Sequence, residues 1–534
     1  MYKEIPPYSI ANQQLSLQQK VGQLFMLAVF INDTEEAIQE MEQIIQKHHI
    51  GALCFFHSRA SAATNFEGKK PVVHNEKSYD RLKDLIARYQ NAAKYPLLIA
   101  MDAEWGLAMR IENTPQYPYA ITLGAIQNND ELIFEVGQQI GLDCREAGIH
   151  WNLAPVVDIN SNPENPVIGY RSFGDDKVQV CAKAEAYVKG MKSAGILNSI
   201  KHFPGHGDTA TDSHLGLPVI DKSLSELKEN ELFPFQELIQ KGVDSVMVGH
   251  LLLPQLDDKE PSTTSFKIIT ELLRKEMGFE GVIISDALNM HAVSRKYPEK
   301  GKLEATVFAA GMDMLCFSEN PLEGIEIISN TVSENRIEES FKRIWQLKET
   351  IFVKEKNVQR NSTENVSQLN KVLAQNTITE LYADSELVQQ IKDSSFLNLS
   401  LDVEEKNIFS KHLEEAYGQK KWELTTHLST VKKKLNTHQN VVLALFPPAV
   451  KPKNQFGFDA ELLAFIQQLI AEKNVLIYLF GNPYVLDILK LTSGSNVVEV
   501  YQDFVEFQEE AFLHFKGASI AQGRLPIKLK ITQP

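Results

Sequence analysis

From the start of the chain to about residue 350, short apolar runs rich in β-branched residues alternate with longer stretches whose apolar residues recur at helical spacing. The runs cover 24–30, 50–56, 96–101, 151–159, 196–201, 245–249, 282–285 and 313–317. Helical stretches between them include 35–48, 79–93, 130–147, 178–194, 224–241 and 266–276. This alternation predicts βαβ units and a parallel sheet, because parallel neighbours need a crossover long enough to hold a helix. The eight runs are the number that closes a (β/α)8 TIM barrel, so residues 1–353 are expected to form one, with insertions. Local signals agree. Ser223 is followed three residues later by Glu226, and each side chain can satisfy an orphan N–H of a helix start. Gly242 then marks the expected stop of the 224–241 helix.

Residues 354–368 are polar and nearly free of large apolar side chains, which predicts a linker. Beyond it, 369–534 reads as a smaller C-terminal α/β sandwich domain. Runs 441–446 and 475–480 predict buried strands, with an amphipathic helix over 460–473 between them. Residues 517–525 read as a loop before a last strand over 527–531.

Charge and composition narrow the partners. The formal charge is −15, and no Lys/Arg-rich run offsets it. Nucleic acid and anionic membrane are therefore poor partners, whereas a neutral substrate such as a sugar feels little net repulsion. No segment has the long apolar run of a membrane span. No basic-then-apolar leader opens the chain. The default expectation is a cytoplasmic protein, or a periplasmic or secreted one if a leader has been removed. Cys54, Cys144, Cys181 and Cys316 are widely spaced within apolar or helical patterns, which predicts buried free thiols rather than a metal site or disulfide framework.

In such a barrel the reactive groups sit where strands end at the C-terminal face. Asp102, Asp158, Lys201-His202, His250 and Asp286 all fall where an apolar run stops. The densest segment, 201–218, reads Lys-His-Phe-Pro-Gly-His-Gly-Asp-Thr-Ala-Thr-Asp-Ser-His-Leu-Gly-Leu-Pro. Its glycines and prolines predict a long polar loop, the kind that carries function. Asp212 lies two residues from His214. A carboxylate that close can fix the imidazole's tautomer and leave its other nitrogen for proton transfer. His206, Asp208, Asp212 and His214 are also metal-ligand types, but no HExxH or other defined ligand motif is present. A lysine at a strand end needs a partner or a ligand. Asp158 fits either a cap for the 160–163 turn or a site residue. Asp286 fits either a reactive carboxylate or the N-cap of the next helix. Trp105 is either a buried core residue or a platform for a sugar ring.

Over about 15–350 the chain resembles glycoside hydrolase family 3, in its β-N-acetylglucosaminidase branch. The likeness rests on 201–209 with Asp212-Ser213-His214, on Asn165-Pro166-Val167-Ile168-Gly169 with Arg171-Ser172-Phe173-Gly174, and on Ser285-Asp286-Ala287-Leu288-Asn289-Met290. The resemblance implies a retaining exo-β-N-acetylglucosaminidase acting on peptidoglycan- or chitin-derived sugars. It implies Asp286 as the nucleophile, and His214 oriented by Asp212 as the acid–base pair. It further implies Asp102, Arg110, Arg171, Lys201 and His202 as ligands of the N-acetylglucosamine ring, and no metal or organic cofactor. The segment 102–110, Asp-Ala-Glu-Trp-Gly-Leu-Ala-Met-Arg, is bulkier and more apolar than the Asp-Gln-Glu-Gly-Gly-Arg-Val-Gln-Arg of small single-domain members. It is similar to that of multidomain bacterial members, with a C-terminal domain expected to be structural or a rim for longer substrates. The alternatives are a β-glucosidase of the same family, a metal-dependent barrel hydrolase, and a non-catalytic glycan-binding barrel.

Overall fold

The computed structural model describes residues 4–57, 74–209, 216–353, 366–382, 384–402, 404–491 and 495–530. The chain forms two compact units. The first comprises Met1–Tyr117, Ile133–Asn162 and Val180–Ser362, the second Pro118–Leu132, Pro163–Gln179 and Thr363–Pro534.

The first unit is the expected barrel. Its strands are β1 (Phe25–Phe30), β2 (Ala52–Phe56), β3 (Leu98–Met101), β4 (Trp151–Asn152), β5 (Leu197–Phe203), β6 (Ser245–Val248), β7 (Val282–Ser285) and β8 (Leu315–Cys316). They lie side by side in chain order, all parallel, with β8 returning to β1. The seam between β7 and β8 is closed by a bridge between Ile284 and Met314 and by Ser285 N donating to Met314 O at 3.1 Å. Nearly every strand residue is buried. That explains why the runs read as continuously apolar rather than alternating.

Two elements differ from the sequence reading. The 151–159 run pairs as a strand only at Trp151–Asn152, with one further bridge from Val156 to Lys201. Pro155 has no N–H to give a ladder. The expected 224–241 helix is two helices, Leu224–Glu229 and Phe233–Gln240. Pro234 is tolerated in a first helical turn but not in a helix interior, so the chain restarts there. The Ser223/Glu226 capping box is formed, and Gly242 follows the second helix at φ +77°.

Asp313, just before β8, is fully buried. Its carboxylate accepts from Arg274 Nη2 at 2.5 Å, Arg343 Nη1 at 3.1 Å, Ser340 Oγ at 2.5 Å and Ile283 N at 3.0 Å. One anion thus ties β7 to two helices, Lys267–Glu276 and Glu334–Phe352, and burial alone would drive it neutral. The arginines reverse that and hold its pKa below the usual carboxylate value.

The second unit is a six-stranded sheet in the order β11-β10-β12-β13-β14-β9. Its strands are β9 (Thr379–Tyr382), β10 (Leu397–Leu401), β11 (Lys421–Glu423), β12 (Asn440–Leu445), β13 (Asn474–Leu479) and β14 (Asn496–Glu499). All neighbours are parallel except β9 against β14. The helix Ala460–Glu472 joins β12 to β13, as the pattern predicts. Residues 354–365 of the expected linker lie outside the described residues, and a helix, Val366–Thr377, already begins within its last three positions. The expected strand at 527–531 does not form over its described part. The N–H groups of Lys528 and Lys530 instead donate to the carboxylates of Asp175 and Asp487, each at 2.7 Å. Two segments from early in the chain belong to this unit. Thr122 Oγ1 accepts from Gln502 Nε2 at 2.7 Å, and Asp175 N donates to Pro526 O at 3.1 Å.

Removing the buried anion strands the charges that surround it. Asp313→Ala is expected to destabilise the barrel by about 3–5 kcal/mol, seen as a lower urea midpoint; an unchanged midpoint would show that the arginines find other partners.

Candidate active site

The strand ends of the first unit gather charged groups in a small space. Lys201 ends the regular part of β5, and its side chain is only 2% exposed. Its ammonium donates to Asp102 Oδ1 at 2.8 Å and lies 2.8 Å from Glu104 Oε1. Arg110 Nη2 donates to Asp102 Oδ2 at 3.1 Å, and its guanidinium lies over the Phe56 ring at 4.8 Å. Burial opposes ionisation of Asp102, but Lys201 and Arg110 outweigh it and keep its pKa below the usual value. Two cations therefore sit against two carboxylates. The cluster presents fixed, polarised donors rather than an excess of one charge.

The next group is built on Asp158, which is fully buried. Its carboxylate accepts from His202 N at 3.2 Å and from His206 N at 2.7 Å, and pairs with His202 Nδ1 at 2.7 Å. These contacts fix the orientation of the His202 ring. His202 and His206, despite burial, hold Asp158 below the ordinary carboxylate pKa. The loop is also pinned sterically. A Cβ on Gly207 would lie 1.7 Å from the Ile159 carbonyl oxygen, so only glycine allows the approach. Burial and the neighbouring His202 push His206 down to about 4, so it is neutral at physiological pH, with Nδ1 2.8 Å from Thr209 Oγ1. Asp208 pairs with Lys222 at 2.6 Å. Among the described residues no group of three or more His, Cys, Asp and Glu side chains is placed to hold a metal ion.

Asp286 stands just past β7, partly exposed. Its own backbone N–H donates to Val248 O at 2.9 Å, and its Oδ1 accepts from Ala287 N at 2.7 Å. Burial would raise its pKa, but His250 and His202, the Ala287 N–H and Lys201 together bring it to about 2. The carboxyl is thus ionised across the neutral and mildly acidic range. That contact to Ala287 N is a capping one, yet the following helix, His291–Ser294, starts only five residues later. Asp286 is therefore not that helix's N-cap.

His250, at the end of β6, is buried. Its Nδ1 lies 2.9 Å from Thr263 Oγ1 and its Nε2 3.0 Å from Ala287 O. It therefore grips the residue whose N–H holds Asp286. The turn that carries Thr263 is itself fixed, with Ser262 Oγ donating to Gly249 O at 2.5 Å. His250 was marked as a strand-end residue without a role, and Glu104 and Thr263 were not among the expected site residues. The strand-end position of His250 and the Pro-Ser-Thr-Thr-Ser cluster at 261–265 were the available signals. For Glu104 the signal was its i+2 spacing from Asp102, which suits two carboxylates on one cation.

The structure brings together Asp102, Arg110, Lys201, His202 and Asp286, with Asp158 beneath them. Trp105 is half-buried. Asp212 and His214 lie outside the described residues. Arg171 belongs to the second unit, where its Nη1 donates to Val167 O at 3.3 Å and Asn165 Oδ1 caps Val167 N and Ile168 N at 2.9 and 2.8 Å.

A parallel eight-stranded barrel whose strand ends converge on an ionised carboxylate and hydrogen-bonding cations has the build of a barrel enzyme. Comparison with known proteins gives the class. Residues 16–347 match the glycosyl hydrolase family 3 N-terminal domain, and the chain belongs to that family. It is 34% identical over 293 residues to beta-hexosaminidase A of Pseudoalteromonas piscicida, covering 52% of this chain but 47% of that one. It is 36% identical over 264 residues to a beta-hexosaminidase of Tolumonas auensis, covering 48% and 77%. The chain thus spans about half the length of the first of these relatives. A solved family 3 beta-N-acetylglucosaminidase from Paenibacillus sp. str. FPU-7 superposes with a TM-score of 0.77 at 26% identity, over 97% of this chain and 100% of that one. Among the described residues no helix is long and apolar enough to cross a membrane.

His250→Gln removes the imidazole that holds Ala287 and contributes most to lowering Asp286. Turnover of an aryl glycoside should fall by about a hundredfold, as expected when a reacting group is slightly misplaced. The acid limb of kcat/KM should move to higher pH, because the carboxylate then protonates sooner. An unmoved limb with normal turnover would reduce His250 to packing.

Proposed function

We propose that this chain is a retaining exo-β-N-acetylglucosaminidase that removes terminal non-reducing β-linked N-acetylglucosamine from peptidoglycan- or chitin-derived sugars. The observation that carries the reading is the Asp286 carboxylate, ionised at the end of β7 and within reach of the charges of His250, His202 and Lys201. A nucleophile must be ionised, oriented and open to attack, and Asp286 is all three. It attacks the anomeric carbon and forms a glycosyl-aspartate, while His214, oriented by Asp212, gives a proton to the leaving oxygen. Water then attacks, with His214 taking back a proton. Asp102, Arg110, Lys201 and His202 hold the hydroxyls of the ring, and Arg171 is the remaining ring ligand. In this reading residues 1–353 are the catalytic domain, 354–368 the linker and 369–534 the C-terminal α/β domain. Family membership and the beta-hexosaminidase relatives support the sugar assignment.

A panel of aryl glycosides with the product anomer followed by NMR tests this directly. Turnover of the β-N-acetylglucosaminide should exceed that of the β-glucoside, with the β-anomer appearing first. An α-anomer appearing first would overturn retention, and preference for the glucoside would make the chain a β-glucosidase. Asp286→Asn should lower kcat by at least about a thousandfold. Unchanged turnover in that variant would place the chemistry elsewhere, and loss of turnover to a chelator in the parent would favour a metal-dependent hydrolase.

A further inference from the structure

Three aromatic rings line one side of the barrel mouth. Phe30 and Phe56 end β1 and β2, and Phe317 follows β8. The ring centroids are 6.3 Å apart for Phe30 and Phe56, 6.1 Å for Phe30 and Phe317, and 5.2 Å for Phe56 and Phe317. Those spacings suit favourable ring pairs. Such a cluster is ordinary core packing in most proteins, but two observations set this one apart. The first is the backbone of Phe317, which has φ +55°, in the left-handed region. A bulky side chain there is an outlier, and such strain persists only where the surroundings hold it. Here Phe317 N donates to Met26 O of β1 at 2.8 Å. Cys316 O, just before it, accepts from Leu288 N of the Asp286 loop at 3.0 Å. The turn ends β8 and sets the Phe317 ring edge-on to Phe56, at 71°.

The second is what the Phe56 ring carries. The Arg110 guanidinium lies over it, 4.8 Å from the centroid. Of the donors on that group, one on Nη2 reaches Asp102 at 3.1 Å, and Nε is buried with no hydrogen-bond partner. One hydrogen bond leaves a planar group free to swing, whereas a ring stacked against it does not. The backbone on both sides is held separately. His57 Nε2 pairs with Glu112 Oε1 at 2.5 Å, that oxygen accepts from Asn75 N at 2.9 Å, and Glu112 N donates to Ser78 Oγ at 3.0 Å. With residue 57 tied to residue 112, the ring at 56 is left to set where the guanidinium points.

We propose that Phe56 and Phe317 are positioning residues for Arg110. Phe317 braces the Phe56 ring, and that ring holds the guanidinium against Asp102 in the orientation that meets the sugar. The proposal rests on the reading of Arg110 as a ligand of the sugar ring. Arg110 touches the substrate, and the two phenylalanines act through it. A leucine at 56 would fill most of the space but lacks the negative ring face that attracts a cation. The electrostatics of the ring, rather than its volume, are what the site requires.

The test uses Phe56→Leu and Phe317→Leu in the full chain. Phe56 is only half-buried, so Phe56→Leu should fold, which circular dichroism checks. In that variant KM for an aryl β-N-acetylglucosaminide should rise about tenfold with kcat nearly unchanged, as when an interaction made equally in ground and transition states is lost. Phe317→Leu should raise it by about threefold, and Phe56→Tyr, which keeps the ring face, should restore the parent KM. In an Arg110→Ala background Phe56→Leu should add nothing, whereas general loosening of the mouth would add its full effect again. Additive effects overturn the proposal. A crystal structure of Phe56→Leu gives a readout independent of turnover. The guanidinium should leave Asp102 while the His57–Glu112 pair stays intact, and an unmoved Arg110 overturns the positioning role whatever the kinetics. If Arg110→Ala leaves kcat/KM unchanged while the guanidinium still moves in Phe56→Leu, the positioning stands and the assignment of Arg110 to the sugar falls.

Discussion

The site rests on one buried carboxylate. Asp158 sits where β4 gives out, and its two oxygens take the backbone N–H groups of His202 and His206 and the ring of His202. It therefore joins the ends of two neighbouring strands and fixes the first turn of the loop that leads toward 210–215. It fixes the His202 ring, and it anchors the 203–209 turn together with Asn162, whose N–H donates to Gly207 O at 3.2 Å, and the Asp208–Lys222 pair. A buried anion is costly unless its lone pairs are filled. Here they are filled by the groups that the site needs held still.

The electrostatic plan follows the same rule. Lys201 is shared between Asp102 and Glu104, and Arg110 closes on Asp102. Each charge has a partner, so the cluster is stable when empty. Its N–H donors are held in fixed directions by those pairs. Asp286 is the exception. It has one backbone donor, to Oδ1, and feels the charges of His250, His202 and Lys201 without a direct ion pair.

Much of this was legible in the residue pattern. The eight apolar runs became the eight strands, because a strand covered on both faces has no polar side to obscure it. Asp102, Lys201, His202 and Asp286 were marked by falling where those runs stop. Other features needed three dimensions. Glu104 earns a role only through the ammonium of Lys201, 97 residues away in sequence. His250 is defined by Thr263 and Ala287 on different loops. Asp158 could be read as a turn cap until its partners across β5 were seen. The segments 118–132 and 163–179 precede the end of the barrel in the chain, yet their hydrogen-bond partners are Gln502, Pro526 and Lys528. Periodicity reports which face is buried but not what buries it. Proline at 155 and 234 lacks the N–H that a continuous strand or helix needs, and there the strand and the helix are interrupted.

The join at β7 and β8 is irregular but well bonded: Asp313 N and Met314 N both donate to Ile283 O, Ser285 N donates to Met314 O, and Cys316 N donates to Ser285 Oγ. Local opening there must break all of these at once, so the seam is no frayed edge of the ring. The strand that delivers Asp286 is thus sewn to its neighbour up to its last residue, and the carboxylate beyond it starts from a fixed backbone.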